Sequence, residues 1–245
     1  MFIVSEGMSV LITTLGALSM VIGVFLAIGQ WDIKRLLAYH SISQMGYVVL
    51  SVGIGMILIS RGVKPEVATI AIAGGIFHLI NHAAFKSLLF LNAGAIEYTI
   101  GTRDLKEMGG LAKSMPATSA TSFIASMSIS GMPPFNGFFS KLIIITAAIL
   151  AKFYFLAALA VIVSIVTLAS FLKFQRYAFY NKPKVEKNRD VREVPFPMVF
   201  SMIVLSLICV LLSLLVIPGF RDVILTPAID ILSDPVKYSS TIIGQ

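Results

Sequence analysis

The sequence predicts an all-α integral membrane protein of about seven transmembrane helices, one of them discontinuous near residues 131–137. Hydrophobic residues make up 57% of the chain and charged residues 13%, with a mean hydropathy of +0.92. Soluble domains average about 45–50% apolar and about 25% charged. The apolar residues also fall in long runs. Residues 9–28 hold no charge, and roughly 20 apolar residues suffice to cross a bilayer core. Charges and prolines then punctuate the rest of the chain at span-length intervals.

The first helix is expected over 9–29, closing at Gln30-Trp31-Asp32, where an interfacial Trp meets a capping Asp. The second, 33–60, ends at Arg61-Gly62-Val63-Lys64-Pro65, and the third, 66–98, is long enough to protrude or bend. A polar loop follows at 101–110. The fourth helix, 116–130, opens on Pro116, because a missing N–H costs least in the first turn. The pattern then breaks in apolar territory at Gly131-Met132-Pro133-Pro134-Phe135-Asn136-Gly137. Further helices are expected over 138–153, 154–180 and 195–217, with a solvated loop at 181–194 and a mixed tail along the surface after Pro218.

A formal charge of +7 on such a chain bears on membrane orientation. No basic stripe is interleaved with stacking aromatics, so no nucleic-acid partner is expected. Counted over seven crossings, Lys and Arg divide roughly equally between the two sides. The densest cluster therefore decides, and it places the 181–194 loop in the cytoplasm of a multi-pass cell-membrane protein. Cys209 is the only cysteine, which excludes an internal disulfide. No basic residue precedes the first apolar run, and that run exceeds a typical signal-peptide core, so no cleaved leader is expected.

Function is sought where polar groups lie at depth, because each is expensive there unless satisfied or hydrated. His78, His82 and Lys86 stand four residues apart in the third helix. Each step rises about 6 Å and turns about 40°, giving one titratable stripe roughly 12 Å long. Imidazole titrates near neutrality, and burial makes the neutral form of an amine accessible. Such a stripe can pass protons if waters bridge its gaps. Structural hydrogen bonding is the alternative for one histidine alone. A haem or metal site is the rival for the pair, with His40 the remaining histidine, but His-x-x-x-His lacks the Glu of a zinc-protease helix.

The break at 131–137 is the second feature, with Lys141 following it. Pro133 and Pro134 remove donors and release carbonyls, which is tolerated at depth only against protein or a hydrated cavity. Thr118, Ser119, Thr121, Ser122, Ser126, Ser128 and Ser130 precede it; they serve either a polar pathway or close helix packing. The third feature is Asp32-Ile33-Lys34-Arg35 with Tyr39 and His40. Cations at a helix N-terminus oppose the macrodipole, so helix stability does not explain them.

Taken in order, these segments resemble the antiporter-like subunits of respiratory complex I, Mrp-type sodium/proton antiporters, and archaeal membrane-bound hydrogenases and sulfane reductases. The resemblance lies in residues 31–47, 78–89, Gly109-Gly110-Leu111 and 131–141, and it matches the C-terminal half of such subunits. It implies that Lys34, His78, His82, Lys86 and Lys141 form a proton or ion pathway; Asp32, Tyr39, His40, Pro133 and Pro134, singled out above, are the candidates for supporting it. The family's first-half glutamate and lysine have no counterpart here; Glu97, at a helix end, is the nearest acid.

The expected function is proton or cation translocation within a multi-subunit redox-driven pump. The chain carries no cofactor motif, so redox cofactors and catalysis are expected in partner subunits. Other membrane subunits, one supplying the first half of the module, are the expected partners alongside the lipid bilayer. A subunit of a Mrp-type antiporter is the nearest alternative, a haem- or quinone-binding anchor using His40, His78 and His82 a more distant one, and a non-conducting scaffold a third.

Overall fold

The structure, a computed structural model, describes residues 5–182, 191–217 and 219. Most of the 181–194 loop and the tail after Pro218 lie outside these residues. The described chain is helical: α1 (Glu6–Ile28), α2 (Ile33–Ser60), α3 (Pro65–Ile100), the four-residue α4 (Leu111–Ser114), α5 (Pro116–Ser130), α6 (Asn136–Leu150), α7 (Tyr154–Gln175) and α8 (Phe196–Leu211). A π-helical turn, Arg176–Tyr180, extends α7, and a tight 3-10 turn, Leu212–Val216, extends α8. Five elements are long and apolar enough to cross a membrane: α1, α2, α3, α7 with its extension, and α8 with its extension.

Helix ends follow from local chemistry. Ser5 caps α1 by accepting from Met8 N, and Asp32 caps α2 by accepting from Arg35 N. Proline opens α3 and α5, and left-handed Gly101 and Gly131 close them. The expected polar loop after α3 holds a 3-10 turn, Leu105–Glu107, whose entry is tied to the start of α2 by Ile33 N–Arg103 O and Leu105 N–Trp31 O bonds. Helix α6 starts at Asn136, where the side-chain Oδ1 accepts from Gly137 N, two residues earlier than expected.

The first two helices are antiparallel and unusually close. Gly16 and Gly23 on α1 face α2, and Gly46 and Gly53 on α2 face α1. A Cβ on any of the four would fall within 3.0 Å of backbone atoms across the seam. Lipid provides no hydrophobic drive for helices to associate, so packing of small residues and interhelical hydrogen bonds hold them. Ser43 Oγ donates to Met20 O (2.8 Å), Ser51 Oγ to Ala71 O (2.7 Å) and Tyr47 OH to Ala160 O (2.5 Å), which joins α2 to α1, α3 and α7.

Two of the expected helices, those on either side of the break, make one discontinuous crossing. Helices α5 and α6 have 15 residues each, about 22 Å apiece, too short to span a core of roughly 30 Å. Both run down the same side of α3. Thr121 meets Asn92, Asn136 meets Asn81, Ser140 meets His78, and Lys64 Nζ, at the start of α3, reaches Leu150 O. Position on α3 falls steadily as position on α5–α6 rises, so the two are halves of one antiparallel crossing, broken midway. Six crossings result among the described residues.

That count changes the charge distribution. Among the described residues Lys34, Arg35, Arg103, Lys106, Lys113, Lys173, Arg176, Lys182 and Arg192 gather at the end marked by Trp31, and Arg61, Lys64 and Lys152 at the other. The near-equal division came from counting the helices on either side of the break as two crossings.

Candidate ion pathway

At mid-depth the α3 stripe meets the break between α5 and α6. His78 is fully buried; its Nε2 lies 3.2 Å from Gln44 Oε1 of α2 and its Nδ1 2.9 Å from Ser140 Oγ of α6. Asn81, one turn along, exchanges amide bonds with Asn136: Asn81 Nδ2 donates to Asn136 O and Asn136 Nδ2 to Asn81 Oδ1, both at 3.1 Å. The break is therefore held against α3 by paired amides between helices.

His82 is half-buried with its ring edge-on to Phe85, and its Nε2 has no protein partner. Lys86 is buried, donates from Nζ to the Leu37 carbonyl of α2 and lies over the Phe90 ring. Titratable groups thus continue from the break at His78 to Lys86, nearer the basic end.

The two prolines explain the environment of Lys141. In an unbroken helix the Ile129 and Ser130 carbonyls would accept from residues 133 and 134, and both are prolines without an N–H. Lys141 Nζ takes up Ile129 O at 2.8 Å, and Ser164 Oγ of α7 takes up Ser130 O at 3.0 Å. Lys141 is buried, 3.4 Å from Ser164 Oγ and 5.0 Å from the centre of the Tyr47 ring. Gly137 passes so close to the Ser128 carbonyl that no side chain fits there. A cavity of about 230 Å³ adjoins Lys141, lined by Ser130, Gly131, Met132 and Ser164 with apolar residues of α6 and α7. The backbone released at the break is satisfied by protein, as irregular backbone at membrane depth must be.

Other expected residues lie elsewhere. Lys34 is not in the buried stripe. It sits at the basic end with its side chain 39% exposed and pairs with Glu97 at 2.5 Å, three turns beyond Lys86 on α3. Asp32 pairs with Arg103 at 3.4 Å. Glu97 and Asp32 together offset the cations at the α2 N-terminus, which supplies the stabilisation that helix chemistry alone did not. Tyr39 is half-buried on α2. Pro133 and Pro134, joined by a cis bond, are exposed on the flank of the break. His40 is buried against Phe171 and its Nε2 bonds Ser170 Oγ at 2.8 Å, facing α7 rather than joining the His78 hydrogen bonds. Both ring nitrogens of His78 are already engaged, and among the described residues no three His, Cys, Asp or Glu side chains gather as metal ligands.

Sequence reasoning passed over Gln44, Asn81, Ser140 and Ser164. Asn81 was open to detection: three residues after His78, it lies on the helical face of a residue already singled out.

A position at depth has a direct consequence. Asn136 is fully buried and Phe135 half-buried. Cysteines at these two positions are expected to resist large membrane-impermeant thiol reagents. Ready labelling from bulk solvent would place the break outside the bilayer.

A broken helix whose freed carbonyls are met by a buried lysine, beside a buried histidine–lysine stripe, defines a polytopic membrane protein with polar chemistry at its centre. The family described as NADH:quinone oxidoreductase/Mrp antiporter, transmembrane, matches residues 1–167, and the chain belongs to it. One of the Na(+)/H(+) antiporter subunits of Alkalihalophilus pseudofirmus is 43% identical over 174 residues, covering 71% of this chain and 33% of that protein. A chain of the Mrp complex from Dietzia sp. DQ12-45-1b superposes with a TM-score of 0.81 at 29% identity, covering 95% of this chain and 49% of that one. A chain of the membrane-bound sulfane sulfur reductase, an archaeal respiratory membrane complex, gives 0.75 at 32% identity, covering 86% and 33%. The chain thus spans about a third to a half of the length of these relatives.

Proposed function

We propose that this chain carries protons as half of an antiporter-like module in a redox-driven ion pump. The observation that carries the reading is the arrangement of buried Lys86, His78, Ser140 and Lys141 with half-buried His82, which joins α3 to the break. A buried amine has no reason to be retained for packing, and each charge at depth is costly. In this reading Lys86 and Lys141 take and release protons, the histidines and intervening waters hand them on, and the freed carbonyls steady the ammonium form. Redox cofactors belong to partner subunits.

Among the described residues the path is incomplete. Beyond Lys141 toward the less basic end, the buried residues of α6 are apolar: Ile144, Ala147 and Ala148. The cavity beside Lys141 is where a neighbouring membrane subunit would continue the route. Leu11, Leu15, Leu18 and Ile22 of α1, each about half exposed, offer a packing face for the subunit that supplies the first half of the module. The basic end, with the 181–194 loop, faces the cytoplasm in this reading, supported by nine cations against three at the ends of the described helices.

A Mrp-type antiporter subunit is the second reading, favoured by the 43% identity to the Alkalihalophilus antiporter protein. Inverted membrane vesicles separate the two. Acidification on adding the electron donor of the complex, insensitive to a sodium gradient, is the expected result. Sodium-driven pH change without electron transfer would establish the antiporter instead. The chain is also expected to copurify with several membrane subunits; a monodisperse monomer that conducts ions in liposomes would defeat the half-module reading.

A further inference from the structure

Thr118, Ser122, Ser126 and Ser130 stand four residues apart on α5, the spacing of the titratable stripe on α3. They share one helical face over about 18 Å, and all four are buried. From α7, Gln175 reaches into this row, only 3% exposed, donating from Nε2 to Ser122 Oγ at 2.9 Å and Ser126 Oγ at 2.8 Å. Its Oε1 has no partner in the protein. Turning the amide over would move the unmet group to nitrogen without removing it.

The row is connected at both ends. Toward the break, Ser130 Oγ donates to Ser126 O at 2.6 Å, Ser164 Oγ donates to Ser130 O, and Lys141 Nζ donates to Ser164 Oγ beside the cavity. Toward the basic end, Thr118 Oγ1 donates to Glu193 Oε1 at 2.6 Å, and Ala117 N donates to Glu193 Oε2 at 2.8 Å. The hydroxyl row thus runs between a carboxylate at the membrane surface and an ammonium at mid-depth. Close packing accounts for small side chains on α5. It does not account for Gln175, because an unmet buried amide oxygen carries a desolvation penalty that a leucine would avoid. Buried groups of this kind are ordinarily met by water.

We propose that the α5–α7 seam is a second, water-holding branch of the pathway, joining Lys141 to Glu193 at the basic end and separate from the α3 stripe. Water at Gln175 donates to Oε1 and accepts from a serine hydroxyl. Protons move by exchange: each water or hydroxyl takes a proton on one side and releases its own on the other, so O–H bonds made and broken balance. The net transfer takes one proton from the carboxylic acid of Glu193 to the neutral amine of Lys141, leaving a carboxylate and an ammonium. The branch rests on the reading of Lys141 as a proton carrier.

Hydration can be read without pumping. In the assembled complex, single cysteines replace Ser122, Ser126 or Ser130 in a Cys209→Ser chain, and open membrane fragments are treated with Ag⁺. All three are expected to react several-fold faster than Ala125→Cys, which lies in fully buried apolar packing, and Gln175→Leu is expected to slow the Ser130 site. Reaction no faster than at Ala125 overturns the branch. Where a variant fails to assemble, a cryo-EM map of the unaltered complex decides: water within hydrogen-bond distance of Gln175 Oε1 supports it, and a dry seam with waters resolved elsewhere overturns it. Rapid labelling in a complex that pumps normally as Lys141→Arg would sink the relay reading and leave the hydrated seam standing. A working relay with an unreactive seam would sink the branch alone.

Discussion

Gly46→Val is expected to remove nearly all of the chain from the membrane complex. A Cβ at Gly46 meets backbone atoms of Met20 and the Gly16 carbonyl on α1, well inside van der Waals separation. Flexible side chains can move aside, but two facing helix backbones cannot do so without parting the seam. Overpacking a tight core typically costs about 1–3 kcal/mol, and contact with backbone lies at the upper end. Parting the seam would also stretch the Ser43 Oγ–Met20 O bond. The amount of chain recovered in membranes, and its thermal stability in detergent, should fall sharply. Gly94→Ala is the matched control, since no atom lies within 4 Å of its added Cβ; it should be neutral or mildly stabilising. Equal tolerance of the two substitutions would show that the α1–α2 seam is looser than described.

Lys86→Arg and Lys141→Arg are expected to lose ion translocation as fully as Lys86→Ala and Lys141→Ala. A lysine that relays protons must visit its neutral form, and burial among apolar helices makes that form accessible. Arginine keeps the positive charge but stays protonated at any relevant pH. If the lysines served only as fixed positive charges, the arginine variants would retain pumping and only the alanines would lose it. Lys34→Arg should preserve activity, because Lys34 is partly exposed and ion-paired to Glu97 at the basic end, where a permanent cation suffices. Electron transfer in the complex can fall in parallel, so ions moved per electron is the quantity to follow.

The helices themselves were legible because lipid demands long uninterrupted apolar runs, and Trp31, Asp32, Pro65, Pro116 and Gly131 mark their ends with familiar chemistry. The broken helix was legible for the same reason: Pro133 and Pro134 cannot continue a ladder. Its direction was not. Whether the chain turns back or continues past Gly131–Gly137 depends on the Asn81–Asn136 and His78–Ser140 contacts, which no local pattern contains. That one ambiguity produced the seventh crossing and the even charge count. The His78–His82–Lys86 stripe was readable from spacing alone. The depth of Lys34 was not, because it is set by Glu97, 63 residues away in sequence and adjacent only after α2 and α3 pack. The glycine pairs of the α1–α2 seam each show a seven-residue spacing, Gly16 with Gly23 and Gly46 with Gly53, but which faces meet becomes clear only in the fold.

The proposal that Lys86 and Lys141 are successive stations on one proton route is tested most directly by counting ions moved per turnover in proteoliposomes. The intact complex, each single arginine variant and the Lys86→Arg/Lys141→Arg double variant are compared. Stations in series act as a unit, so their losses do not add: Lys141→Arg, where the routes meet, should lower the stoichiometry at least as far as Lys86→Arg, and the double variant should lower it no further than Lys141→Arg alone. Full stoichiometry in the single variants, or a loss in the double equal to the sum of the two, would contradict a shared relay through this chain.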